Sequence, residues 1–216
     1  MSARQLMQWI YQAPTQERAE AAALLAKSYI AGDAAPDERR AQEATLTVLL
    51  DDASPIVRRA LANALAASSK APHHIILSLM QDQADIAAII AERSPLLVDA
   101  ELVDMVAQGQ PRMQMAVAQR RNVSKSVSAA LAEVGTPEAC TALLYNPTAH
   151  IAVFSVTRMA ERIGTEACVR EALLERDDLP FAIRQQLITH LSSVLSNFLV
   201  QRGWLQVRLL GKCRPG

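Results

Sequence analysis

The four residues Gly135-Thr136-Pro137-Glu138 place a helix stop, a helix cap and a helix start in immediate succession. Glycine accepts the left-handed conformation that ends a helix. A threonine hydroxyl accepts from the first free amides, and proline loses no hydrogen bond at the first helical position. Two helices joined so tightly must lie against each other. The same punctuation recurs in both directions. Ser54-Pro55 and Ser94-Pro95 repeat the cap and start, Thr165-Glu166 reads as another start, and Gly32, Gly109, Gly164 and Gly203 each follow a helical run. Nine of the ten prolines (Pro14, Pro36, Pro55, Pro72, Pro95, Pro111, Pro137, Pro147 and Pro180) fall between 14 and 180, about one per helix. These signals predict helices near 3–12, 15–31, 37–51, 55–68, 72–81, 83–93, 96–108, 111–121, 124–134, 137–145, 148–163, 166–176 and 180–201.

Apolar stripes support this reading. From Pro55 onward Ile56, Val57, Ala60, Leu61, Ala64 and Leu65 share a face, and Ile183, Leu187, Leu191, Val194, Leu195 and Phe198 do so in the last helix. Half of the 216 residues are apolar but only 4% are aromatic, which suits close packing of Ala, Leu, Ile and Val between helices. Lys plus Arg and Asp plus Glu balance at 22 each, so no global charge draws the chain to nucleic acid or an anionic membrane. The three cysteines, Cys140, Cys168 and Cys213, are odd in number and far apart, which argues against a disulfide framework and for a reducing compartment. No N-terminal apolar run resembles a signal peptide, and no window of about 20 apolar residues could span a bilayer. The expectation is a cytoplasmic protein.

A frame of Leu49-Leu50-Asp51-Asp52-Ala53-Ser54-Pro55-Ile56-Val57-Arg58-Arg59-Ala60 returns in weaker form. Later copies fall at Leu79-Met80-Gln81-Asp82 with Ile86 and Ile90, at Met105-Val106 with Pro111 and Met113, at Leu143-Leu144 with Asn146-Pro147 and Ile151, and at Leu173-Leu174 with Asp177-Asp178, Pro180 and Arg184. Such spacing belongs to helical-pair repeats. The first copy, Asp-x-x-Pro-x-Val-Arg-x-x-Ala, looks like a HEAT repeat, and that resemblance implies that the aspartate and arginine lock successive repeats. Asp52 and Arg58 stand six apart, as do Asp178 and Arg184. The three middle copies lack the pair, and their stacking is expected to rest on apolar packing alone. Residues from about 40 to 205 resemble an uncharacterised bacterial HEAT-like family, a domain of unknown function. The resembling phrases are Glu92-Arg93-Ser94-Pro95-Leu96-Leu97, Val117-Ala118-Gln119-Arg120-Arg121-Asn122-Val123-Ser124, Leu143-Leu144-Tyr145-Asn146-Pro147-Thr148-Ala149 and Glu175-Arg176-Asp177-Asp178-Leu179-Pro180. The resemblance implies no activity.

The expected fold is an all-α right-handed solenoid of about five HEAT-like hairpins. Residues 1–205 form one domain (an N-terminal helical segment over 1–45 and repeats over 46–201), and 206–216 read as a basic, disordered tail. No chemistry emerges from the motifs. His73, His74, His150 and His190 have no metal-ligand spacing, and neither a Gly-x-Ser-x-Gly elbow nor a phosphate-binding glycine loop is present. No catalytic residue, cofactor or metal is therefore assigned, and Cys140 reads as core. The expected function is a non-catalytic scaffold that binds a protein partner on a curved helical surface. From Met105 to Ala132 there is no acid, while Arg112, Arg120, Arg121 and Lys125 supply four positive charges. These four are the expected partner-binding residues, and nucleic acid is the alternative partner. The apolar face of the last helix, running on toward Trp204, exceeds what core packing needs and suggests a homodimer seam or a missing C-terminal part.

Overall fold

The computed structural model describes residues 13–202. The helix expected at 3–12, together with Gly203, Trp204 and the tail from 206, lies outside them. Among the described residues the protein is all-helical, with twelve helices and no strand. They are α1 (Thr15–Ala31), α2 (Pro36–Leu50), α3 (Pro55–Leu65), α4 (His73–Met80), α5 (Ala84–Arg93), α6 (Asp99–Ala107), α7 (Pro111–Ala118), α8 (Lys125–Val134), α9 (Pro137–Tyr145), α10 (Val153–Ile163), α11 (Ala167–Leu174) and α12 (Phe181–Gln201).

The start signals work as the sequence implies. Pro36, Pro55, Pro111 and Pro137 each open a helix, and Ser54, Ser124 and Thr136 accept from the amides of Ile56, Val127 and Ala139 at 3.3 Å each. Two starts differ. Ser94-Pro95 does not begin α6, because the Ser94 hydroxyl accepts from the Leu96 amide within a turn. The helix begins four residues later, where Glu101 reaches back to accept from the Val98 amide at 2.9 Å. The helix expected from 148 begins at Val153. Asn146 holds the preceding loop by accepting from both the amide (3.0 Å) and the hydroxyl (2.8 Å) of Thr148. Gly32 and Gly109 take the left-handed stop, at φ +80° and +75°. Gly135 and Gly164 do not, and closeness explains them instead. A Cβ on Gly164 would stand 2.9 Å from Leu187 Cδ2, and one on Gly135 would stand 3.0 Å from Cys140 Sγ.

The helices form two rows. In one, α1, α3, α5, α7, α9 and α11 each pack on the next; in the other, α2 meets α4, α6 meets α8, α8 meets α10 and α10 meets α12. Consecutive helices join the rows everywhere except between α5 and α6 and between α9 and α10. The second row has one interruption: α4 and α6 make no comparable contact. Leu46, Leu49, Leu61, Leu65, Ile75, Ile76, Leu79, Ile86 and Ile90 are fully buried between the rows, each worth about 1.5–3 kcal/mol on burial. Ala22 and Ala26, also fully buried, let α1 approach α3 closely. Ile56 is half exposed, since Val57, Leu61 and Leu65 already fill the inward face of α3. The core runs continuously from Ala19 to Leu143 and overlaps at α8 and α9 with a second cluster reaching Leu187.

A polar position recurs beside this core. The fourth residue of α1, α3, α7, α9 and α11 is Arg18, Arg58, Gln114, Cys140 and Arg170, and each donates to a main-chain carbonyl just upstream of its helix. Three of them also reach forward. Arg18 clasps Asp52 through Nε (2.8 Å) and Nη2 (3.0 Å), and Arg58 clasps Asp82 in the same way (2.6 and 2.9 Å). Gln114 Nε2 donates to Val106 (3.0 Å) and Val134 (3.1 Å), while its Oε1 accepts from the Thr136 amide (2.9 Å). The middle of the array therefore does not stack on apolar contact alone. Where the sequence lacks the Asp–Arg pair, a neutral amide at the equivalent place bonds the adjoining helix ends.

Candidate interaction surface

The four basic residues read from the sequence lie around α7, and α7 separates them. Arg112 is in its first turn, whereas Arg120 and Arg121 follow its last, roughly 13 Å along the axis at 1.5 Å per residue. Lys125 begins α8 across a turn in which Asn122 takes a left-handed φ of 57°.

Arg120 does not face solvent. Its guanidinium donates to the carbonyls of Ala91 and Ser94 (2.7 Å to the latter) at the end of α5. Helix ends leave carbonyls without partners and carry the negative pole of the helix dipole, so a cation is well placed there. Burial pulls the Arg120 guanidinium below its usual value, and the charge of Asp99 opposes that shift. The device is repeated along the row. Asn146, just after α9, donates to Ala118 (2.9 Å) and Arg120 (2.7 Å) at the end of α7, and Arg176, just after α11, donates to Leu144 (3.3 Å) at the end of α9. In the other row Arg162 serves the end of α8 through Ala132 (2.9 Å) and Gly135 (2.6 Å). The turns after α7, α9 and α11 thus each close the preceding helix of the row.

Arg121 and Lys125 are exposed, and Arg112 forms an ion pair with Asp85 at 2.8 Å. Asp85 also takes Arg59 at 3.2 Å, so two arginines share one carboxylate. The acid-free stretch of sequence receives acids from neighbouring helices. Asp99 also borders α8, accepting from the Ser126 hydroxyl at 2.7 Å, and hydrogen bonds from Ser124 and Ser126 hold its carboxyl below the usual range. Arg121 lines a groove of about 390 Å³ with Ala67, Glu92, Arg93, Pro95 and Gln119, between the ends of α5 and α7.

A larger cleft, of about 700 Å³, opens at the other end of α7. It occupies the interruption between α4 and α6. Its apolar lining is Leu77, Met80, Ala84, Ala87, Met105 and Met113, the last two only 7% exposed; Gln81, Gln108 and Gln110 with Asp82 complete the wall. Unbranched, polarizable methionines adapt their shape to what they meet. Sequence reasoning missed this cleft because Met80, Met105 and Met113 come from different helices and share no linear period. The hydrogen bond from Arg58 holds the Asp82 carboxyl below the usual carboxylate range, against the opposing effect of burial. Cys140 is fully buried and burial pushes its thiol up to about 11, so it stays protonated at neutral pH. Among the described residues no group of three or more His, Cys, Asp or Glu could hold a metal, and no helix is long and apolar enough to cross a membrane.

These features define an all-α protein of paired helices in two rows, with a methionine-lined cleft where one row is interrupted. Residues 86–211, more than half of the chain, match the family described as an uncharacterised protein conserved in bacteria (DUF2336), and the chain belongs to that family. The match starts in α5, later than the resemblance from about residue 40 suggested. No curated protein and no solved structure matches the chain.

Proposed function

We propose that this protein is a non-catalytic, cytoplasmic interaction scaffold: a right-handed solenoid of HEAT-like helix pairs that binds a partner protein on its curved surface. The carrying observation is the methionine-lined cleft between α4 and α6, which offers apolar contact inside a glutamine rim. Apolar clefts with a few polar groups on the wall are where proteins take up other molecules. An amphipathic partner helix fits this chemistry, with its apolar side chains on the half-buried Leu77 and Met80 and over the edges of Met105 and Met113. Arg112, in the same turn as Met113 and paired with Asp85, together with Arg121 and Lys125 further along, supplies charge that orients the partner, and Arg120 holds the frame beneath them.

The test is capture from native cell extract with wild type, Met113→Glu, and Arg112→Glu/Arg121→Glu/Lys125→Glu. The reading expects one protein to be retained by wild type, lost with Met113→Glu, and reduced by the triple change at low salt. Equal capture by Met113→Glu, with helicity unchanged, would overturn it. Retention on a nucleic-acid column that disappears at moderate salt and with the triple change would favour nucleic acid instead.

A further inference from the structure

Two grooves meet at Ala67, away from the methionine-lined cleft. One, of about 500 Å³, lies between the ends of α1 and α3, with Lys27, Ile30, Ala64 and Lys70 in its lining. The other is the groove of Arg121 between the ends of α5 and α7. Ala67 lines both, so they form one furrow across the C-terminal ends of four successive helices of the row. The cleft opens at the opposite ends of α5 and α7, on Ala84, Ala87 and Met113.

The furrow is basic. Lys27, Lys70, Arg93, Arg120 and Arg121 line it, and the acid among its lining residues is Glu92. Arg93 takes Glu92 at 3.6 Å, and Arg120 is occupied by main-chain carbonyls. Lys27, Lys70 and Arg121 are exposed and form no ion pair among the described residues. Like charges also crowd at one end. The Lys70 ammonium and the Arg39 guanidinium each stand 3.9 Å from the place a Cβ on Gly32 would take, and the exposed Asp33 beside them pairs with neither. Elsewhere surface cations find acids on neighbouring helices, as Arg59 and Arg112 find Asp85. Here they converge without one. The carbonyl ends that would repel an anion are already covered, by Arg120 at α5 and by Asn146 at α7.

We propose that this furrow binds an acidic, extended segment of a partner protein, with its carboxylates on Lys27, Lys70 and Arg121. Neighbouring helices of a row lie about 8–10 Å apart, so the furrow runs roughly 25 Å, the reach of about eight extended residues. Between the cations its surface is aliphatic, with Ile30, Ala64, Ala67 and Pro95, which suits a peptide that mixes acids with apolar side chains. None of these lining residues is aromatic, so the furrow lacks the stacking platforms on which a nucleic-acid strand is held. The furrow is separate from the cleft, and either reading can fail without the other.

Fluorescence anisotropy of the full chain at low salt, with a labelled octapeptide of alternating glutamate and leucine, tests the assignment. Wild type should bind it at least tenfold more tightly than the same peptide with lysine in place of glutamate, and added salt should shrink that preference. Lys27→Glu/Lys70→Glu should weaken binding of the acidic peptide at least tenfold and turn the preference toward the lysine peptide, a reversal that misfolding would not produce. Arg121→Glu should weaken binding several-fold, and Met113→Glu, in the cleft, should leave it unchanged. Equal binding of the two peptides by wild type, no change with Lys27→Glu/Lys70→Glu, or loss with Met113→Glu would each overturn the proposal. So would tighter binding of an eight-nucleotide oligothymidylate that the two lysine changes abolish.

Discussion

Arg58 in α3 and Gln114 in α7 occupy the same place, the fourth residue of a helix opened by proline, and they solve one problem in two ways. Arg58 clasps a carboxylate in the next turn and ties it to its own. Gln114, only 1% exposed, reaches the same two directions with an uncharged amide. The boundary between the two solutions falls near residue 86, where the family match begins. Before it, Arg18–Asp52 and Arg58–Asp82 hold the turns. After it, Gln114, Arg120, Asn146 and Arg162 act mainly on main-chain carbonyls, and the one bidentate Arg–Asp clasp there, Arg176 on Asp178 (2.8 and 2.7 Å), is local to a single turn. Stacking thus needs a donor at a fixed place, and the acceptor can be a carboxylate or a helix end. Only the first kind responds to acid.

The largest effect that sharpens this contrast is expected for Gln114→Ala. It strands the buried Val106 carbonyl and leaves the part-buried Val134 carbonyl and Thr136 amide without their partner, at a cost of about 2–3 kcal/mol, read from urea unfolding. Arg120→Ala removes a charged donor from the end of α5 and should cost about 2–3 kcal/mol by the same measurement. Asp82→Asn should cost about 1–2 kcal/mol at neutral pH, since a charged partner is replaced by a neutral one. This last loss carries a pH signature. The folded Asp82 carboxyl titrates below its unfolded value, so its contribution is complete above the usual carboxylate range, near 4, and fades as pH falls through the folded value. Wild type and Asp82→Asn should therefore converge in acid, whereas the Gln114→Ala deficit should persist. Parallel curves for Asp82→Asn and wild type would break the distinction. The smallest effect is expected for Arg121→Glu/Lys125→Glu, under about 0.5 kcal/mol, because both side chains lie on the surface.

Helix positions were legible because their signals are local. A proline opening α9 and a glycine closing α1 act within one turn of chain, and any reader of the sequence meets them together. Register at α6 and α10 was less legible. Ser94-Pro95 and Pro147-Thr148 carry start chemistry, but their polar atoms are used to shape turns, and the helices begin only at Asp99 and Val153. The Asp–Arg pair could be read since both partners are distinctive side chains, although Asp52 answers Arg18 and not Arg58's side-chain fork. Contacts to carbonyls leave no such trace, because every residue has one. Arg120 therefore read as a surface charge with Arg121, and only the folded chain separates the inward arginine from the outward one. The cleft was equally silent, being made by what α4 and α6 do not do.

That missing contact has a mechanical consequence. A beam cut on one side bends at the cut, with the uncut side acting as the strap. Here α3, α5 and α7 are the strap, and flexing between residues 80 and 105 should be softer than elsewhere in the protein. Whatever wedges into the opening sets the angle between the two arms, so occupancy at one place would be transmitted as a change of reach at both ends.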